Sequence, residues 1–286
     1  LAAARAHLDA QSRRVQEWID SRQPSPESFD VTPISEGLVL NLRADRGVTL
    51  DDAGRIVAWE DGSPLGHHAT QDNAEARPRL QLDALGGQPT IRFSGNSEFL
   101  HLDGQVLSSQ EFTIFAVAND LGSGAHRDIF SNWNGDAGNS TTSVFLGTTG
   151  DGTIRFSDDF GNAGELSEPS ERCLLTAVAG TDDAVVFRNE VVLRRKGGPL
   201  APRTLDTPYV IGRQGNLEGE YWQGDIAEIL VYDRALSDEE RLSFSRYLMQ
   251  RYQLAGQPQP PSDPKALALA SLCHVLLNSN EFIYID

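Results

Sequence analysis

The sequence predicts an all-β protein, an antiparallel β-sandwich (jelly roll) flanked by N- and C-terminal helices. Three observations carry this. Between residues 35 and about 235 short apolar stretches alternate with Gly-, Asp- and Asn-rich turns, and no helical pattern falls between them. The 26 glycines and 14 prolines suit a turn-rich globular chain. At 286 residues the chain can hold one sandwich of roughly 200–250 residues with little to spare.

Taken in order, residues 1–34 read as a helix and linker. Leu1, Ala4, Leu8, Val15 and Trp18 recur at three- and four-residue steps over residues 1–22, and Pro24 and Pro26 end the run. The sandwich and its closing helix occupy 35–256. Its strands are read in Gly37-Leu38-Val39-Leu40-Asn41-Leu42, Thr90-Ile91-Arg92-Phe93, Phe112-Thr113-Ile114-Phe115-Ala116-Val117, Thr142-Ser143-Val144-Phe145-Leu146, Thr153-Ile154-Arg155-Phe156, Leu174-Leu175-Thr176-Ala177-Val178, Ala184-Val185-Val186-Phe187 and Ile226–Tyr232. A helix over 237–252 follows. Ser237-Asp238-Glu239-Glu240 is its capping box, and Leu242, Phe244, Tyr247, Leu248 and Tyr252 its apolar face. Residues 257–286 begin with a Pro-rich linker, Gln257-Pro258-Gln259-Pro260-Pro261. Asp263-Pro264 then starts a helix whose residues 265–277 are apolar on most sides and must be buried. The helix at 1–22 is its natural partner, in an antiparallel pair that sets Trp18 against its first turns and Leu8 near its later ones.

Charge and cysteine usage exclude several classes. A formal net charge of −17 argues against nucleic-acid and anionic-membrane binding. No apolar run reaches the ~20 residues of a membrane-spanning helix. The charged N-terminal stretch has no apolar core, so it does not read as a signal peptide, and secretion is not legible from it. Cys173 and Cys273 are too few for a disulfide scaffold or a zinc site, and are either bridged or separately buried. The pair Cys273-His274 lacks the upstream cysteine of a haem-attachment motif, because position 270 is Ala.

Several segments resemble the laminin-G-like branch of the concanavalin A-like lectin/glucanase superfamily. They are Gly37 to Val48, Arg55-Ile56-Val57-Ala58-Trp59-Glu60-Asp61 with His68-Ala69-Thr70-Gln71, Pro89 to Gly95 with Glu98-Phe99-Leu100, and the closing segment Gly224 to Ser237. The resemblance covers about 35–255. It implies two packed antiparallel sheets, one with a concave face, and Trp59 and Trp222 in the core. The tail, Ala270 to Asp286, resembles the extreme C-terminus of the planctomycete-specific domain that ends large surface or periplasmic proteins. That second resemblance implies the C-terminal part of a longer exported protein, located extracellularly, in the periplasm or at the cell surface, with the parent's other domains as partners.

Catalytic chemistry is sparse in the sequence. Glucanases of the superfamily carry Glu-x-Asp-x-x-Glu on one strand. Here the nearest set is Asp225, Glu228 and Asp233, and on a regular strand Asp225 and Glu228 face opposite sides. Glu228 therefore reads as an acceptor for Arg or backbone donors. There is no Gly-x-Ser-x-Gly elbow and no phosphate-binding Gly loop. His67-His68 reads as a solvated loop. Asn139-Ser140-Thr141 fits a glycosylation sequon.

Binding chemistry is better represented. Arg127, Asn132, Trp133 and Asn134 combine an aromatic with amides and a guanidinium, and Asp158, Asp159 and Asn162 add an acidic, amide-bearing loop. A sugar needs this mixture: a ring for its C–H face, and polar groups for its hydroxyls. Asn132 and Trp133 are expected at the rim of the concave face or in its loops. Calcium is the one cofactor left open, by the Asp-rich turns at Asp51-Asp52, Asp151, Asp158-Asp159 and Asp182-Asp183, although none forms an ordered ligand ladder. The sequence thus points to a non-enzymatic, lectin-like module for glycan or another extracellular ligand. A protein–protein interaction module is the alternative, and a glycan-active enzyme with loop carboxylates a weaker one.

Overall fold

The structure, a computed structural model, describes residues 34–135, 138–165 and 172–254. The helices expected at 1–22 and 265–277, their pairing, the 257–261 linker, Cys273 and the tail lie outside the described residues.

The strands are β1 (Leu38–Arg43), β2 (Val48–Leu50), β3 (Ile56–Trp59), β4 (Ala69–Thr70), β5 (Arg79–Leu85) and β6 (Gln88–Ser94). They continue with β7 (Leu100–Leu102), β8 (Phe112–Asp120), β9 (Arg127–Ser131), β10 (Phe145–Thr148), β11 (Thr153–Phe156) and β12 (Asn162–Glu165). The last are β13 (Arg172–Ala179), β14 (Asp183–Arg188), β15 (Val191–Gly197), β16 (Val210–Ile211) and β17 (Gln223–Tyr232), after which the helix α1 spans Asp238–Arg251. One sheet runs β15-β14-β13-β8-β17-β6-β5, with β1 also on β17, and the other runs β12-β11-β10-β9-β16-β7-β4-β3-β2. Every strand pairing is antiparallel, so the expected all-β sandwich of two antiparallel sheets is the fold.

Alternation along the strands assigns the faces. On β8, Ile114, Ala116 and Ala118 join the core between the sheets, while Phe115 and Val117 face away from it. Trp59 and Trp222 lie in that core, as does Cys173. The outward residues of this sheet are covered by α1, whose Phe244 stands edge-on to Phe115 at 5.1 Å and to Tyr232 at 6.2 Å. The sequence-predicted capping box starts the helix: the Ser237 hydroxyl accepts from the Glu240 amide at 3.3 Å, and the Ser237 amide donates to Glu240 Oε2 at 2.9 Å.

One expectation is corrected on β17. Its register against β8 slips between Ile226 and Glu228, which makes Ala227 the extra residue of a bulge. Ile226 and Ile229 face the core, so Asp225 and Glu228 both point to the helix side rather than to opposite faces. Neither is free there. Asp225 accepts from Arg92 at 2.5 and 2.8 Å and from Thr90 at 3.1 Å, and Glu228 accepts from the Tyr252 hydroxyl at 2.7 Å. Burial pushes the Glu228 carboxyl above its usual range.

Because Phe244 is the main ring of the helix–sheet contact, Phe244→Ala should cost ~3–5 kcal/mol of stability in urea denaturation. A loss below about 1 kcal/mol would mean that α1 does not hold to the sheet through this side chain.

Candidate functional site

The face of the nine-stranded sheet that points away from the core carries the site, and an irregularity in β9 builds it. Phe130 pairs with Leu146 of β10, but the next pair is Asp128 with Gly147, so Ile129 is an extra residue. In a regular strand Asp128 would face the core with Phe130. The bulge turns it to the outer face instead. On β11, Arg155 pairs with the same Gly147, which completes an outer row Asp128–Gly147–Arg155 across three strands. Gly147 makes the row fit. A Cβ there would lie 2.1 Å from the Arg127 carbonyl and 2.5 Å from Asp128 Oδ1.

Around this row lies a cleft of about 250 Å³. Trp133 comes from the segment after β9, and Ser140, Thr141 and Ser143 from the loop before β10. Phe145 and Arg155 rise from the sheet, Asp158 follows β11, and Glu220 precedes β17. Arg155 ties the acids together: its Nη1 is 2.5 Å from Glu220 Oε2 and 3.4 Å from Asp128 Oδ1, and its guanidinium lies 4.8 Å from the Phe145 ring centroid. Glu220 is held in a left-handed conformation, φ 47°, where its carbonyl accepts from the Asp128 amide at 3.0 Å. Its loop docks on Trp133, whose carbonyl accepts from the Asn216 amide at 2.7 Å. Gly215, φ 107°, permits that approach, since a Cβ would stand 2.1 Å from the same carbonyl.

Burial pushes the Asp128 carboxyl well above the usual carboxylate range; Arg155 opposes the shift, and Glu220 and Asp158 add to it. Asp158 is also raised, again by burial first, with Arg155 and Arg203 opposing. The chemistry on offer is an aromatic platform, a buried carboxyl group, two further acids, three hydroxyls and one engaged guanidinium.

Of the residues singled out from sequence, Trp133 and Asp158 line the cleft. The Trp133 ring is half-buried, and its buried Nε1 has no hydrogen-bond partner among the described residues. Two expectations are corrected. Arg127 is buried, with Nε and Nη2 at 3.0 and 2.8 Å from Asp120 and Nη1 on the Ala125 carbonyl, so its donors are spent inside the protein. Asn132 is fully buried rather than at a rim; it donates to the Thr204 carbonyl at 2.8 Å and accepts from the Val144 amide at 2.7 Å. The remaining three do not line the cleft. Asn134 sits in the turn beside it, its amide donating to Asn139 Oδ1 at 2.6 Å. Asp159 accepts from the Ala201 amide at 2.7 Å and pairs with Arg203, and Asn162 opens β12 with its carbonyl on Arg194. Sequence reading missed Asp128, Phe145, Arg155 and Glu220. The alternation Thr153-Ile154-Arg155-Phe156 does hold a signal for Arg155, because its neighbours Ile154 and Phe156 face the core.

The other motifs have local uses. The Asn139 side chain is buried and bonded to the Asn132 carbonyl and Thr207. His67 Nδ1 is 2.6 Å from the Asp103 carbonyl, and His68 Nδ1 accepts from the Asp61 amide. Among the described residues no group of three His, Cys, Asp or Glu side chains is placed to hold a metal ion. No helix among them is long and apolar enough to cross a membrane.

No protein-family model and no curated protein matches the sequence. Solved structures match in fold. Domain 4 of AbnA, a GH43 extracellular arabinanase from Geobacillus stearothermophilus solved with arabinotriose, is similar at 12% identity and a TM-score of 0.50, over 74% of this chain and 100% of its own. The botulinum neurotoxin serotype D ligand binding domain, solved with N-acetylneuraminic acid, is similar at 13% identity and a TM-score of 0.53, over 76% of this chain and 52% of its own. A further structure of the receptor binding domain of botulinum neurotoxin D gives 14% identity and a TM-score of 0.51, with 75% and 54% covered. The chain thus spans about half the length of the toxin domains. At such identities the likeness establishes the fold. The chain is an all-β protein of the two-sheet antiparallel sandwich class.

Two substitutions test the geometry. Gly147→Ala drives a methyl group against the Arg127 carbonyl and the Asp128 carboxyl, and should cost about 1–3 kcal/mol in urea denaturation. Asp128→Asn tests the burial of the acid. A carboxyl raised in the folded state favours folding below the ordinary carboxylate range, and that contribution is lost as pH rises through its folded value. The variant should therefore gain stability relative to the wild type as pH rises from mildly acidic to neutral and beyond. A difference independent of pH would show that Asp128 ionises normally.

Proposed function

We propose that the chain is a non-catalytic, lectin-like glycan-binding module of the laminin-G-like, concanavalin A-like kind, and that the cleft around Trp133 is its binding site. The observation that carries this is Trp133 itself. A half-buried indole stands beside the Asp128 carboxyl, the Ser140, Thr141 and Ser143 hydroxyls and the Phe145 ring. A saccharide can lay its C–H face on the ring and exchange hydrogen bonds through its hydroxyls. The fold's occurrence in domains solved with arabinotriose and with N-acetylneuraminic acid supports the same reading. A non-catalytic role is supported by Arg155, which sits against both Glu220 and Asp128 in place of the sugar ring that a glycosidase's two carboxyl groups must flank. An exported parent protein with further domains is supported by the resemblance of the tail.

A glycan array probed with and without calcium should give binding. No binding in either condition would return the chain to the interaction-module reading, and turnover of any glycan would make it an enzyme. Trp133→Ala should weaken binding of the array's best glycan about tenfold, the loss of one aromatic contact, with the melting temperature nearly unchanged. A core tryptophan would instead cost ~3–5 kcal/mol of stability on the same substitution.

A further inference from the structure

We infer that the cleft around Trp133 selects saccharides by charge: it takes those bearing a free amine ahead of neutral ones and refuses those bearing a carboxylate. This rests on the glycan-binding reading of the same cleft. Three carboxyl groups, on Asp128, Asp158 and Glu220, line it against a single guanidinium. That guanidinium is already committed, with Arg155 Nη1 on Glu220 at 2.5 Å and near Asp128 at 3.4 Å, and its plane over Phe145. An acidic sugar would meet no unengaged cation in the cleft, only Asp158 and Glu220. Like charges brought together across an interface oppose binding.

A second observation points to what is accepted. Asp128 is 2% exposed, and its carboxyl accepts one long bond, from Arg155 Nη1 at 3.4 Å. Asp158, exposed, has no hydrogen-bond partner among the described residues. An ammonium group offers charge-assisted donors to the exposed Asp158 carboxylate, stronger than those of a neutral hydroxyl, while the pyranose ring still rests on Trp133.

The test is calorimetric titration at neutral pH with three trisaccharides, of glucosamine, N-acetylglucosamine and galacturonic acid. The glucosamine trimer should bind about tenfold tighter than the acetylated trimer, and a roughly tenfold rise in ionic strength should narrow that gap. The galacturonic acid trimer should bind weakest. Asp158→Asn should reduce the preference for the amine, read as the ratio of the glucosamine trimer's affinity to that of the acetylated trimer. Failure of the glucosamine trimer to bind, or an acetylated trimer that binds as tightly, overturns the charge selection, and the glycan array reports separately on the glycan reading. Binding of 1,6-diaminohexane as tight as that of the glucosamine trimer would also overturn it, because charge alone would then suffice.

Discussion

The sandwich depends on β17 being buried on both of its faces. Ile226, Ile229 and Val231 enter the core between the sheets, while Ala227, Leu230 and Tyr232 enter the layer beneath α1. The strand also pairs with β8 along one edge and with β6 and then β1 along the other. A strand so placed must be apolar on both sides, and the sequence Ile226-Ala227-Glu228-Ile229-Leu230-Val231-Tyr232 has one charged residue. Glu228 is tolerated because the Tyr252 hydroxyl donates to it and Arg251 lies 3.7 Å away, both at the end of the helix that covers it.

The regular part of the molecule is a scaffold, and the site is made from its departures from regularity. A bulge residue, Ile129, sends Asp128 outward. Gly147 leaves the space in which that carboxyl sits, Gly215 lets a loop back onto Trp133, and Glu220 is held at positive φ where it meets both Asp128 and Arg155. Each of these is a small cost that the surrounding sheet holds in place. Together they put an aromatic ring and three acids around one guanidinium on an otherwise ordinary outer face.

That division explains what could be read from sequence. The strands β1, β6, β8, β10, β11, β13, β14 and β17 and the helix α1 were legible because burial leaves a periodic trace and because the Ser237–Glu240 cap is a local code, whereas β5, β9, β12, β15 and β16 were not read as strands. Trp133 and Asp158 were legible as an aromatic and an acid in turn-rich segments. Arg127 and Asn132 looked the same, but turns leave backbone groups unpaired, and Asn132 satisfies such groups inside the protein while Arg127 neutralises the buried Asp120. Asp128 was hidden because a bulge exists only in the pairing of two strands, and a single strand's alternation gives the wrong face. The same failure put Asp225 and Glu228 on opposite sides of β17. Glu220 leaves no trace at all, since its place depends on a loop that folds back onto a residue far away in sequence.

Binding in this cleft is tested most directly at the Trp133 indole N–H. The chain has four tryptophans, and two of them, Trp59 and Trp222, are buried in the core away from the cleft. In a heteronuclear NMR titration with the best glycan from the array, the Trp133 indole resonance should shift and saturate, while those of Trp59 and Trp222 stay in place. Saturable binding that leaves the Trp133 resonance unmoved would contradict the claim that this cleft is the binding site.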